Sequence, residues 1–459
     1  MHNFNDKNTI CALSTPHGEG AIAVLRLSGE NAVDIADSFF DKDIKKKKGY
    51  TIVYGSIVKD DEVIDDVILF IFRAPHSFTG EDVVEISCHG SLYIQHEIIQ
   101  MCINGGARSA NPGEFSMRAF ANGKMDLSQA EAVADLVASS SKAAHKLAMQ
   151  QMKGGFSKEI GELRQKLIDF ASMIELELDF SEEDVEFADR SELNELIETT
   201  MKKVDSLLNS FKTGNAIKNG IPVAIAGAPN VGKSTLLNQL LNEERAIVTE
   251  IPGTTRDVIE DRINLDGVEY RFIDTAGIRD TEDKVENLGI EKTFEKAKNA
   301  NVVMYMMDAD LGKEGVLKKI EEFKQELNEE EVSIINVVNK IDLVNGSELV
   351  EELKDRKDFA FISAKEGKGL DDLKESLKDT VDLGTLKQEI VVTNARHYEA
   401  LKKSKEALEK VMNGMEMGIT GDLLAQDIRY ALHYLGEITG EITTDDLLGN
   451  IFSKFCIGK

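Results

Sequence analysis

The segment Gly227-Ala228-Pro229-Asn230-Val231-Gly232-Lys233-Ser234 sets glycines, a lysine and a hydroxyl at the spacing of a phosphate cradle. Glycines let backbone N–H groups turn inward around phosphate oxygens, at the positive end of the helix that follows. In such a cradle Lys233 reaches the β- and γ-phosphates and Ser234 binds Mg²⁺, with Asn230, Val231, Gly232 and Thr235 completing the contact. Further along, Asp274-Thr275-Ala276-Gly277 stands where a second metal-site segment is expected, Asp274 holding Mg²⁺ through water and Gly277 sensing the γ-phosphate. Asn339-Lys340-Ile341-Asp342 offers a carboxylate that accepts from the ring N–H and exocyclic amine of guanine together, which adenine cannot supply. Ser363-Ala364-Lys365 closes the base pocket, and Gly253-Thr254-Thr255-Arg256-Asp257 supplies Thr255 as a second hydroxyl on Mg²⁺. Five such pieces in this order point to binding of GTP and GDP with Mg²⁺, and to hydrolysis of GTP.

One position departs from that chemistry. Many small GTPases place a glutamine directly after the D-T-A-G segment to orient the attacking water. Here that residue is Ile278, which can orient nothing. Arg256, Arg279, Glu282 and Glu286 are the polar candidates in or near the two switch segments.

These loops need strands and helices to hold them. Strand-like runs at 223–226, 270–273, 302–307 and 332–338 alternate with helical ones, as a parallel βαβ sheet requires. The helical pattern Leu236, Leu237, Leu240 and Leu241 follows the cradle directly. Upstream, β-rich runs at 21–27, 51–58, 63–72 and 83–88, with a helix at 92–103, read as a small α/β domain. From Asp126 the chain turns helical: Ser128 and Glu131 form a capping-box pattern, and the first helix is expected to run to Gly154-Gly155. A second helix spans 160–178, a third runs from Leu193 to a stop at Gly214, and helices return after residue 386. The expected organisation is α/β plus α: an N-terminal α/β domain over 1–125 and a helical domain over 126–217 and 385–459. A Ras-like P-loop GTPase domain over 218–384 is inserted between the helical halves.

Bulk properties narrow the function classes. A chain of 459 residues is too long for a single core. Its net charge of −28 is the opposite of what counterion release along a nucleic acid uses. Any RNA contact must therefore come from a local patch, a partner or the shape of the RNA; Lys45 to Lys48 is the most basic stretch and reads as a solvated loop. Cys11, Cys88, Cys102 and Cys456 lie far apart, as in a reducing compartment. No apolar run approaches the ~20 residues that span a bilayer, so a cytoplasmic protein without membrane contact is expected.

Phrases outside the GTP motifs carry a resemblance. They are Gly20-Ala21-Ile22-Ala23-Val24-Leu25-Arg26-Leu27-Ser28-Gly29, Ser77-Phe78-Thr79-Gly80-Glu81-Asp82, Asn111-Pro112-Gly113-Glu114-Phe115-Ser116, Lys124-Met125-Asp126-Leu127 and Phe455-Cys456-Ile457-Gly458-Lys459. With them, essentially the whole chain resembles the MnmE (TrmE) family of tRNA-modification GTPases. The resemblance implies an N-terminal domain that binds 5-formyl- or methylene-tetrahydrofolate and forms a homodimer. It also implies a flavin-binding GidA-type partner subunit, a heterotetramer with it, and a (carboxymethyl)aminomethyl group placed on C5 of the wobble uridine of certain tRNAs. Arg26, Glu85, Lys124 and Lys459 would contact the folate, and Cys456 would belong to the modification chemistry. In place of the missing glutamine, the family implies K⁺ held by Asn230, Thr249, Ile251 and Thr254, with Glu286 positioning the water. The nucleotide-contacting stretch then runs through Thr249, Glu250, Ile251, Pro252, Gly253, Thr254 and Thr255, and Glu286, Lys233, Asn230 and Thr255 are the catalytic set. Two rival classes are a GTP-driven switch in ribosome assembly and the GTPase part of a metal-ion transporter. The first usually brings an appended basic RNA-binding module and the second needs membrane-spanning helices.

Overall fold

Period-two alternation of apolar and polar residues builds the first sheet. In the computed structural model, which describes residues 7–179, 190–244, 261–273, 300–327, 332–344, 347–353, 356–380 and 390–458, six strands come from the first 110 residues. They are β1 (Ile10–Leu13), β2 (Gly20–Ser28), β3 (Thr51–Lys59), β4 (Glu62–Phe72), β5 (Val83–Gly90) and β6 (Arg108–Ser109), in the order β3-β4-β5-β2-β1-β6. All pairings are antiparallel except β1 with β6. One face carries Val67, Leu69, Ile71, Val84, Ile86, Ala23, Leu25 and Leu27, which α1 (Ala32–Asp37) and α2 (Leu92–Asn104) help to bury. The opposite face is open only in part: Ile22, Ile52, Tyr54 and Ile68 stand exposed on it, whereas Ile10 and Ala12 of β1 pack with Phe115.

Chain contacts divide the molecule into two compact units: residues 1–137, 151–202 and 399–459 form one, and 138–150 with 203–398 form the other. In the first unit, α3 (Glu114–Ala121) and α4 (Leu127–Ala138) share the apolar cluster of Met117, Leu127, Ala130, Leu448, Phe452 and Phe455. Further along the chain come α5 (Lys142–Met152), α6 (Gly155–Asp179) and α7 (Arg190–Asn219).

The second unit carries the other sheet. Its strands are β7 (Ile221–Gly227), β8 (Asp261–Leu265), β9 (Val268–Phe272), β10 (Val302–Asp308), β11 (Ser333–Asn339) and β12 (Phe359–Phe361), in the order β12-β11-β10-β7-β9-β8. All neighbours are parallel except β8 with β9. Helices α8 (Lys233–Glu244), α9 (Gly312–Leu327), α10 (Ser347–Leu353) and α11 (Leu370–Asp379) flank it. The chain closes with α12 (Ala395–Met417), α13 (Gly421–Thr439) and α14 (Asp445–Phe452).

Three local expectations change. The reciprocal cap is Asp126 with Gln129 rather than Ser128 with Glu131: Gln129 N donates to Asp126 Oδ1 (2.9 Å) and Asp126 N to Gln129 Oε1 (3.0 Å). The helix expected to run to Gly154 breaks after Ala138 and restarts at Lys142, where Ser141 Oγ accepts from Ala144 N (3.1 Å) as a new cap. The third helix does not stop at Gly214 but continues to Asn219. Gly214 is there for proximity, because a Cβ on it would sit 2.3 Å from the carbonyl oxygen of Val392.

Candidate functional site

Parallel strands deliver their loops to one sheet edge, so β7, β10 and β11 bring the sequence motifs together at their C-terminal ends. β7 ends at Gly227, and the cradle turns through Asn230, held at φ 59°, before α8 begins at Lys233. Leu236 and Leu240 anchor that helix in the core beneath. Gly232 (φ 101°) lies so near the Asn339 amide that a Cβ would meet Asn339 Nδ2 at 2.3 Å. The Lys233 ammonium donates to Gly227 O (2.7 Å) and Ala228 O (2.9 Å), which stretches it across the mouth of the cradle. Ser234 and Thr235 occupy the first turn of α8, Thr235 exposed.

Asn339 ties three motifs into one body. Buried to 3%, it donates from Nδ2 to Val231 O in the cradle (2.7 Å) and accepts at Oδ1 from Ala364 N (2.9 Å). Lys340, at φ 65°, pairs its ammonium with Asp308 at the end of β10. Asp342 is exposed; the Ser363 hydroxyl bonds its carboxylate and holds its pKa below the ordinary range, with Lys365 and Lys368 adding to this. Ser363 is fixed by a two-way backbone pairing with Lys368 (3.0 and 3.2 Å). An ionised carboxylate at a loop edge, with two lysine charges near it, is an acceptor for two parallel N–H donors. Asp308 escaped the sequence reading, although it ends an apolar strand in register with Asn339.

A second cluster forms on the open face of the first sheet. Register sets Arg26 of β2 directly opposite Glu85 of β5, and Arg26 Nε donates to Glu85 Oε1 at 2.8 Å. The guanidinium lies over the rings of Phe78 (5.4 Å) and Phe115 (5.5 Å), two cation–π contacts that position it. The C-terminal tail joins it: Arg26 Nη1 (3.5 Å) and Ser14 Oγ (3.3 Å) both donate to Gly458 O, and Gly113 N donates to Cys456 O (3.3 Å). Lys124 donates to Pro75 O (2.9 Å), on the same loop as Phe78. Beneath runs an ion-pair chain in which Arg118 joins Glu81 and Glu114, and Arg108 pairs with Glu114. Burial pushes the Glu114 carboxyl up, but Arg108, the Asn111 backbone and Arg118 outweigh it and bring the pKa below normal. Nothing local in the sequence marked Phe78, Phe115 or this chain as partners.

Cys456 is exposed, whereas Cys11, Cys88 and Cys102 are buried; burial pushes the Cys88 thiol up to about 11. Several expected site residues lie outside the described residues. They are Thr249, Glu250, Ile251, Pro252, Gly253, Thr254, Thr255, Arg256, Asp274, Thr275, Ala276, Gly277, Ile278, Arg279, Glu282, Glu286 and Lys459. Among the described residues, no helix is long and apolar enough to cross a membrane.

Comparison with known proteins matches the chain along its length. The family model for the GTP-binding protein TrmE N-terminus matches residues 9–124, and that for the MnmE helical domain matches residues 127–456. A protein of Christiangramia forsetii named tRNA modification GTPase MnmE is 53% identical over 472 residues, covering 98% of this chain and 99% of that one. Its namesake in Flavobacterium psychrophilum is 52% identical (98% and 99% covered), and that of Bacteroides thetaiotaomicron is 51% identical (99% and 100%). Among solved structures, the G domain of the Thermotoga maritima FeoB iron transporter aligns with 35% of this chain and 98% of its own, at 25% identity. Its TM-score of 0.25 is too low to add to the fold.

Proposed function

The chain belongs to the MnmE family of GTPases, and from that premise we propose that it spends GTP hydrolysis on modifying C5 of the wobble uridine in tRNA, with a folate-borne one-carbon unit. The observation that carries this reading is the meeting of Arg26, Glu85 and the Cys456–Gly458 tail on one sheet face, an arrangement that GTP binding does not need. Arg26 and Lys124 suit the glutamate carboxylates of tetrahydrofolate, and Glu85 suits the N–H edge of a pterin. Lys459 extends the same tail, and Cys456 lies at its base as the group for the modification chemistry. A flavin-binding GidA-type subunit supplies the redox half, in a heterotetramer built on a homodimer of this chain. The apolar Ile22, Ile52, Tyr54 and Ile68 exposed on the open sheet face support the dimer.

At the nucleotide site, Ser234 and Thr255 hold Mg²⁺. Asn230 with Thr249, Ile251 and Thr254 holds K⁺ against the phosphates, and Glu286 positions the water that Ile278 cannot. Bound K⁺ supplies positive charge where negative charge develops in phosphoryl transfer. Exchanging KCl for matched NaCl should slow steady-state hydrolysis at least about tenfold, roughly 1.4 kcal/mol in barrier, with GDP affinity nearly unchanged. Equal rates in both salts would transfer the role to Arg256 or Arg279.

The folate reading is tested by calorimetry with 5-formyl-tetrahydrofolate and nucleotide-free protein. Arg26→Ala and Lys124→Ala should each weaken binding by about 1.5–3 kcal/mol, the worth of a charged hydrogen bond. Wild-type affinity in both variants, or no binding to the parent protein, rejects the assignment.

A further inference from the structure

The Lys45–Lys48 run, a solvated loop by its sequence, is held more firmly than solvation requires. Ile44, just ahead of it, is fully buried, and its N–H donates to Asp37 Oδ1 (2.8 Å). Lys47 N closes a turn on Ile44 O (3.0 Å), and beyond the run Tyr50 N donates to Ile71 O (2.8 Å). Between these anchors the Arg73 guanidinium donates to Lys45 O (2.6 Å) and Lys47 O (3.3 Å), while its Nη1 pairs with Asp82 (2.6 Å). Gly49 is drawn in against the same residue, since a Cβ on it would stand 3.3 Å from Arg73 N. Ordering backbone costs roughly 1–2 kcal/mol per residue, and the pinned turn keeps adjacent like charges together that a loose loop would let spread.

The acidic groups at the loop are already engaged. Lys45 takes Asp34 (3.4 Å) and Asp37 (3.7 Å), and Arg73 takes Asp82. Asp41 and Asp43 accept from the backbone N–H groups of Ser56 (2.9 Å) and Lys45 (3.0 Å). Lys46, Lys47 and Lys48 are exposed, and their ammonium groups have no ion pair or hydrogen bond among the described residues. In a chain of net charge −28, three unpaired cations on one fixed turn form a local positive patch. Beside them stands the Tyr50 ring, 73% exposed and set edge-to-face on Phe72 (centroids 5.9 Å apart, planes at 86°). Lysines for phosphates and an open ring for a base are what a polynucleotide uses. The patch also adjoins the Arg26–Glu85 cluster. Asp82, which holds Arg73, accepts from Ala74 N (2.8 Å) and so fixes the start of the loop that carries Phe78 to the Arg26 guanidinium.

Resting on the tRNA reading above, we propose that Lys46, Lys47, Lys48 and Tyr50 form a docking surface for the tRNA backbone beside the modification site. Its contacts are to phosphates and to the face of one base. It therefore positions the RNA and leaves the choice of sequence to other groups.

The test follows a labelled, unmodified tRNA transcript binding to the full chain by fluorescence anisotropy over a series of KCl concentrations. Lys46→Gln, Lys47→Gln and Lys48→Gln made together should weaken binding about tenfold or more at low salt. They should also flatten the slope of log affinity against log salt by about two to three. The same loss of charge at Lys313, Lys318 and Lys324 of α9 should do neither. Tyr50→Leu, which keeps an apolar side chain but no ring, should weaken binding with the slope unchanged. GTP hydrolysis and 5-formyl-tetrahydrofolate binding should stay at the parent level throughout. Parent affinity and slope in the loop variant, or an equal loss from the α9 changes, overturns the docking surface and leaves the tRNA reading standing. A parent chain that binds no tRNA overturns both, and one that instead binds phosphatidylserine vesicles through these lysines gives the patch to a membrane.

Discussion

Asn339 and Asp342 stand three residues apart and do different work. Asn339 is spent inside the protein, its amide bonded to the cradle at Val231 and to the base loop at Ala364. Asp342 keeps its carboxylate at the exposed edge, ionised below the usual range because Ser363 bonds it and Lys365 and Lys368 lie near. Asp342→Asn exchanges an acceptor pair for an acceptor and a donor. GTP binding should weaken strongly while xanthosine triphosphate gains, as competition for labelled GDP would show. The depressed pKa fixes the pH response: guanine pairing persists above the ordinary carboxylate pKa of ~3.9 and is lost only as pH falls through the lower folded value. An unchanged guanine preference in the variant would mean that another group reads the base. These residues were legible because loop chemistry is written in consecutive positions. The ion-pair chain was not, because Glu81 and Arg108 come from elsewhere in the sequence to meet Glu114 and Arg118 of α3, and only the fold gathers them.

At the scale of elements, the strong periodic segments were readable and the short or interrupted ones were not. The runs that became β2, β3, β4, β5, β7, β9, β10 and β11 each carry a near-continuous or alternating apolar pattern. β1, β6 and β12 are four residues or shorter, too brief for a period to declare itself, and β8, five residues long like β9, went unread. For β8 a cue existed in the two-residue turn Asp266-Gly267 that joins it to β9. Gly214 misled in the opposite direction, since glycine after an amphipathic run reads as a helix end. The packed structure uses it because the Val392 carbonyl leaves no room for a Cβ. Two effects then compete in Gly214→Ala. Helix propensity favours alanine by ~1 kcal/mol, but a Cβ 2.3 Å from a backbone oxygen forces α7 away from that strand of chain, at a cost of about 1–3 kcal/mol or more. The clash should win, giving a lower urea midpoint; a raised midpoint would show that the segment at Val392 yields freely.

For the whole molecule, charge and apolar surface pull in opposite directions. Each chain carries −28, so two copies repel at long range and repel less as salt shortens the Debye length from ~10 Å at 0.1 M to ~3 Å at 1 M. On the open face of the first sheet, Ile22, Ile52 and Tyr54 are each more than 60% exposed, and Ile68 lies directly across from Tyr54 in the β3–β4 register. In the dimer proposed above, exposed apolar side chains on a highly charged, acidic protein would gain by burial against the same face of a second copy. Because burial of apolar surface is non-directional and the repulsion is screenable, a homodimer built on this face should tighten rather than weaken as NaCl rises. That is the reverse of an interface built on ion pairs. Tyr54→Glu sets a carboxylate at the centre of the patch and repeats it on the partner through the two-fold. Light scattering across a concentration series should then find the parent dimeric at micromolar concentration and the variant monomeric, with GTP binding to the single chain intact. If the parent is monomeric at tens of micromolar in high salt, or the variant remains dimeric, the pairing surface lies elsewhere on the chain.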